Sequence, residues 1–337
     1  LRTDAVTAGG RQGRGHDGQA GDYGRDRHHL RDAARTRSRT DRAGRRRPAV
    51  GRLLTATAGG RTMTTFLYGA NVAANGIRQH YLRYGGADGS RANRPAIVLI
   101  PGITSPAITW GFVGEVLGRT HDTYVLDVRG RGLSSASPTL DYSLDAQAAD
   151  VAAFVAALGL REFSLVGHSM GARIAARAAL HAPRGLVSVA LIDPPVSGPG
   201  RRDYPGKLPW YVDSMALARS GTDAEGMRTF CPTWTEAERQ LRAEWLHTCD
   251  ERAVLASYEG FHTDDFHADA ARLTVPSLLM TAQNGDVVRD EDVAELQRAT
   301  PAMLHVRVPN AGHMIPWDNA AGFYAAFSDF LGAPLVY

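Results

Sequence analysis

The chain has 337 residues, 44% hydrophobic and 22% charged, enough apolar material for a sizeable packed core. Its formal net charge of +3 hides two regions of opposite sign: residues 1–62 carry 15 Arg and 6 Asp, and the rest carries 23 basic and 29 acidic residues. An acidic body argues against nucleic acid as a partner, no 18-residue apolar run offers a membrane span, and two cysteines are too few for a disulfide scaffold or a four-cysteine zinc site.

Residues 1–62 are rich in Gly, Arg and Asp and show neither helical nor strand periodicity. Such composition cannot offset the entropy of ordering, so the segment is expected to be disordered. A basic arm for nucleic acid or membrane is one reading of it. An export signal at Arg45-Arg46-Arg47 is another, weakened by Arg52 in the apolar stretch that follows. The favoured reading takes Met63 as the start of translation and the upstream stretch as a gene-start artefact.

From Met63 onward the chain alternates strand and helix patterns, as an α/β sheet does. Residues 65–72 and 77–84 read as strands joined by the hairpin signal Asn75-Gly76. Ala96–Ile100 and Thr123–Leu126 are buried strands, and Ala146–Leu158 is an Ala-rich helix. Phe163–Val166 is a strand that runs into the helix Gly171–His181, and Leu186–Ile192 is the sixth strand. About eighty residues then break the rhythm. They hold many aromatics and helical stretches such as Thr235–His247, and are expected to form a helical cap over about 196–272. Ser277–Thr281 and Leu304–Val308 complete eight strands, and Asn319–Leu331 closes the chain as a helix.

The chemistry centres on Gly167-His168-Ser169-Met170-Gly171, a G-x-S-x-G between an apolar strand and a helix. A serine on so tight a turn exposes its hydroxyl, and the glycines leave room for the turn. A nucleophile of this kind needs a base, and the base an orienting acid. His313, in the loop after the last strand, is the candidate base. Asp193, directly after the sixth strand, and Asp286, in the loop after the seventh, compete as the acid, and spacing does not separate them. The oxyanion is expected to meet the backbone N–H groups of Met170 and Ile103. His168 is expected to pack or to line the pocket. No metal or organic cofactor is called for.

The stretches Asn71–Gly86 (NVAANGIRQHYLRYGG), Pro101–Trp110 (PGITSPAITW), Asp122–Ser134 (DTYVLDVRGRGLS), Asp193–Arg202 (DPPVSGPGRR), Leu208–Ser214 (LPWYVDS), Arg242–Cys249 (RAEWLHTC) and Asn310–Asp318 (NAGHMIPWD) closely resemble the α/β-hydrolases. Within that family they are most similar to enzymes that deformylate a small N-formyl amide. The resemblance covers nearly all of 63–337, and departs from the common family pattern in having Pro-Gly rather than His-Gly at the oxyanion loop. It implies a mostly parallel eight-stranded sheet flanked by helices, a triad of Ser169, Asp193 and His313, and release of formate from a small carboxylate substrate. That carboxylate calls for a cation near the pocket, for which Arg129, Arg131, Arg201 and Arg202 are candidates, with Trp210 as a further contact. A carboxylesterase or carbon–carbon bond hydrolase on the same triad is the alternative, and a cytoplasmic location is expected. Oligomeric state is not legible.

Overall fold

The computed structural model describes residues 64–85, 94–181 and 183–337. The expectations for residues 1–62 lie outside the described residues.

Eight strands form one sheet: β1 (Phe66–Ala74), β2 (Ile77–Tyr84), β3 (Ala96–Ile100), β4 (Thr123–Leu126), β5 (Phe163–His168), β6 (Leu186–Ile192), β7 (Ser277–Ala282) and β8 (Leu304–Val308). Their spatial order is β1-β2-β4-β3-β5-β6-β7-β8. The β1–β2 and β2–β4 pairs are antiparallel, and all the others are parallel. Asn75, at φ 48°, and Gly76, at φ 74°, make the β1–β2 hairpin, since a tight turn of this hand needs positive φ at both positions.

The central strands are apolar on both faces because helices cover both. Alternate residues of β3 go to opposite cores. Val98 and Ile100 pack with Phe154 and Val151 of α2 (Leu144–Ala157) and with α3 (Met170–Leu180), while Ile97 and Leu99 share the core of the other face with Trp110, with Val113 of α1 (Gly111–Leu117), and with Phe323 and Phe327. Between β6 and β7 the chain forms α4 (Leu208–Arg219), α5 (Glu236–Trp245), α6 (Glu251–Thr263) and α7 (Phe266–Ala270). After β7 come α8 (Asp290–Ala299), α9 (Ile315–Asp318) and α10 (Ala320–Leu331), to which Phe323 and Phe327 belong.

Outside the segment between β6 and β7, two helices longer than a single turn escape the sequence pattern. α1 buries Val113, Val116 and Leu117 at helical spacing, but two glycines within seven residues dilute the signal. α8 buries only Val293 and Leu296 as apolar contacts, a stripe too thin to stand out. A further difference bears on the site. β5 runs on through Gly167 and His168, which pair with Leu191 and Ile192 of β6, so the turn begins two residues later than Val166 suggests and the serine follows the strand directly.

Candidate active site

Ser169 stands at the carboxyl end of the central strand β5, in the conformation φ 55°, ψ −119°. A non-glycine residue in such a region costs about 1–3 kcal/mol, which the surrounding fold must supply. Two glycines make the turn possible. A Cβ on Gly167 would fall 2.1 Å from the Gly171 carbonyl oxygen, and one on Gly171 would fall 1.9 Å from that of Ile100. The strand is thereby crossed closely by the helix that follows, and the Ser169 N–H is fixed to the Ile192 carbonyl at 2.8 Å.

His313 lies in the loop after β8, with its Nε2 3.0 Å from Ser169 Oγ and its Nδ1 2.7 Å from Asp193 Oδ2. A carboxylate only accepts, so Nδ1 carries the proton and the Nε2 lone pair faces the serine hydroxyl, which donates to it. Asp193 sits at the end of β6, the neighbour of β5, and is 1% exposed. Its Oδ1 accepts the Ala282 N–H at 3.3 Å, and its own N–H bonds the Met280 carbonyl at 2.7 Å. The carboxylate is therefore held from two strands, β6 and β7.

Asp286 is placed differently. It lies at the cavity mouth, exposed, with its carboxylate paired to Arg289 at 2.6 Å, a contact that lowers its pKa. The structure brings Ser169, His313 and Asp193 together and leaves Asp286 outside the chain of hydrogen bonds.

Two further contacts fix the loop that carries His313. His168 Nε2 donates to the His313 carbonyl at 2.9 Å, and the Gly312 N–H donates to Asp318 Oδ2 at 2.9 Å. Burial, reinforced by the neighbouring His313, pushes the His168 pKa down to about 3, so its ring is neutral. Trp317, from α9, stacks on Trp234 of the segment between β6 and β7 at 5.1 Å, coupling that segment to the His313 loop.

The backbone N–H groups of Ile103 and Met170 give no hydrogen bond to another group among the described residues. Met170 opens α3, where first-turn N–H groups lack intrahelical partners and the helix dipole favours negative charge. Ile103 lines the cavity, and its carbonyl accepts from Arg131 Nε at 3.1 Å.

The cavity beside Ser169 has a volume of about 600 Å³, in the range of small-molecule sites. Its walls come from the loop after β3 (Gly102–Ser105), from Tyr204, Tyr211 and Trp210, and from Phe230, Trp234 and Arg242. Burial, then the neighbouring Tyr211, raise the Tyr204 phenol well above its ordinary range, so it stays protonated.

Of the residues expected to meet a substrate carboxylate, only Trp210 lines this cavity. Arg129 is paired with Asp150 behind the site. Arg131 is fully enclosed and spends its donors on the carbonyls of Ile103, Arg129 and Ala253 and on Ser257. Arg201 forms a fork with Glu295 at 2.9 and 2.6 Å. Arg202 bonds Asp292 at 2.6 Å and the carbonyls of Asp286 and Val287. Each is committed to a partner that spacing along the chain does not reveal. The guanidinium that does reach the cavity is Arg242, on α5. Its signal was available: Arg239, Arg242, Ala243 and Leu246 fall at i, i+3, i+4 and i+7, so two arginines occupy the inward stripe of an amphipathic helix. Among the described residues, no cluster of three His, Cys, Asp or Glu side chains is arranged to hold a metal ion.

The elbow at Ser169, the hydrogen-bonded series Ser169–His313–Asp193 and the sheet order define a serine-type hydrolase scaffold, and residues 95–320 match the sequence profile of the alpha/beta hydrolase fold. The chain belongs to the α/β-hydrolase family. Over 274 residues it is 57% identical to the N-formylmaleamate deformylase of Pseudomonas putida KT2440, a match that covers 81% of this chain and all of that one. The crystal structure of the deformylase Nfo from Pseudomonas putida S16, solved with a serine replaced by alanine, superposes with a TM-score of 0.73 at 50% identity, covering 77% of this chain and 100% of that chain. E-2-(acetamidomethylene)succinate hydrolase shares the fold alone, with a TM-score of 0.64 at 22% identity over 80% of this chain and 100% of that one.

Proposed function

We propose that the protein hydrolyses the N-formyl amide bond of N-formylmaleamate to give formate and maleamate, through Ser169, His313 and Asp193. The observation that carries the reading is the 57% identity extending over the full length of a deformylase of that specificity. The site geometry supports it by supplying a serine, a base and an acid in hydrogen-bonded sequence.

In the first step His313 Nε2 takes the Ser169 hydroxyl proton as Oγ bonds to the formyl carbon. The carbonyl oxygen becomes an oxyanion, met by the N–H groups of Ile103 and Met170. Asp193 holds the His313 tautomer and stabilises the imidazolium as it forms. The C–N bond then breaks, and His313 returns its proton to the departing nitrogen. That nitrogen also carries the maleamoyl carbonyl, which spreads its charge and makes it a better leaving group than an ordinary amide. Water next enters, gives a proton to His313 and attacks the formyl-serine. Formate leaves and Ser169 regains its proton. No step calls on a metal or organic cofactor.

The same proposal makes the substrate a small carboxylate and the location cytoplasmic, in keeping with two free, buried thiols at Cys231 and Cys249. Among the described residues no helix is long and apolar enough to cross a membrane. Incubation of the purified full chain with N-formylmaleamate tests the activity: formate and maleamate should appear in equal amounts. Hydrolysis of a simple carboxylic ester without any formate from N-formylmaleamate would overturn it in favour of an esterase.

A further inference from the structure

Buried arginines are common in this protein, and most have a visible structural task. Arg131 clamps carbonyls of three segments, Arg173 bonds the carbonyls of Pro195, Ser197, Gly260 and Asp264, and Arg239 bonds those of Ala224 and Trp234. Arg242 is different. It is 4% exposed, yet its hydrogen bonds are two long contacts of 3.4 Å to the carbonyl and hydroxyl of Thr104, and its Nε has no partner. Among the described residues no carboxylate is bonded to it. Its guanidinium carbon lies 5.1 Å from the Trp210 ring centre and 5.9 Å from that of Trp234, and all three side chains line the cavity that holds Ser169.

A buried cation left without an anion carries a desolvation cost that a carboxylate entering the cavity would offset. The indole faces fix the plane of the fork while leaving its donors free for the cavity. Thr104 follows Ile103 directly, so the fork hangs on the same loop that presents an N–H toward the reacting centre. The acids lining the cavity, Asp286 and Asp318, are held by Arg289 and by the Gly312 N–H. The other lysine or arginine on the walls, Lys207, is exposed at the mouth.

We propose that Arg242 is the anion-recognising residue of the cavity, and that it selects substrates bearing a carboxylate at the end remote from the scissile amide. This rests on the function proposed above for the name of the substrate, but the anion site itself is a property of the cavity. In that pose the carboxylate accepts from the Arg242 fork while the formyl carbon lies against Ser169, so the cis double bond of N-formylmaleamate bridges the two ends.

The test is calorimetric binding of maleamate and of the neutral maleic diamide to wild type, Arg242→Met, Arg242→Lys and Lys207→Met, with the kcat/KM ratio of N-formylmaleamate to its methyl ester measured in parallel. Wild type should prefer maleamate. In Arg242→Met the preference and the kinetic ratio should both fall about 10- to 100-fold, as the loss of hydrogen bonds to a charged group implies. Arg242→Lys, which keeps the charge but loses the fork, should lie between, and it carries the test if the methionine variant does not fold. An unchanged preference in both Arg242 variants, or a loss confined to Lys207→Met, overturns the assignment. Binding of maleamate through Arg242 with no formate released would leave the anion site standing and remove the deformylase reading. Formate release with an unaltered ratio would do the reverse.

Discussion

His168 donates its Nε2–H to the backbone carbonyl of His313 at 2.9 Å, so the residue before Ser169 anchors the loop that carries His313. Ser169 and the proposed base are thus positioned from one strand end, β5.

This contact has a pH signature. The His168 pKa is pushed from 6.5 down to about 3 by burial and by His313, so between those values the unfolded chain binds a proton that the folded chain refuses. Stability from this residue is complete above pH 6.5 and is lost as pH falls, at up to about 1.4 kcal/mol per pH unit. His168→Gln places an amide N–H where Nε2 stood and removes the titration. Chemical denaturation from pH 7 to pH 4 should show a shallower loss for the variant than for wild type. Parallel curves would contradict the neutral, buried assignment.

The two acids make opposite predictions. Asp193→Asn should fold normally and lose about 10²–10⁴-fold in kcat, because the histidine tautomer is then wrong. Asp286→Asn breaks an exposed pair with Arg289 and should lose less than about tenfold. Steady-state kinetics on both variants, with circular dichroism as the fold control, decides the point; the reverse pattern would move the acid role to Asp286.

Arg131 tests the oxyanion loop. It holds the Ile103 carbonyl at 3.1 Å and touches Met170 Sδ at 3.4 Å, so it buttresses both residues whose N–H groups would meet the oxyanion. Its task is positioning. Arg131→Lys should lower kcat by about 10²-fold through misplacement of those donors while KM changes little. A rise in KM with kcat unchanged would show that the loop is not what Arg131 holds.

What the sequence made legible was what is local. The strand, the glycines and the helix around Ser169 lie within a few residues of one another, and the two glycines mark where backbone must approach backbone. The inner parallel strands were readable because strands covered on both faces are short apolar runs, and β1 and β2, which pair antiparallel, because Asn75-Gly76 marks the hairpin between them. Asp193 and Asp286 could not be told apart, since the choice depends on β6 lying beside β5 and on a side-chain pairing of Asp286 with Arg289. Arg129, Arg131, Arg201 and Arg202 looked free in sequence because Asp150, Asp292, Glu295 and the carbonyls that engage them arrive from other elements. Arg242 is hidden in the sequence because helical composition alone does not say which side of α5 its arginines face.

The proposed reaction begins with attack of Ser169 on the formyl carbon of N-formylmaleamate. Its most direct measurement is the initial rate of formate release by wild type and by Ser169→Ala, with circular dichroism recorded for both. Wild type should release formate, and Ser169→Ala should be slower by about 10³-fold or more with an unchanged spectrum. Comparable rates from the two proteins would rule out Ser169 as the nucleophile, and no formate from wild type would rule out the deformylase reaction.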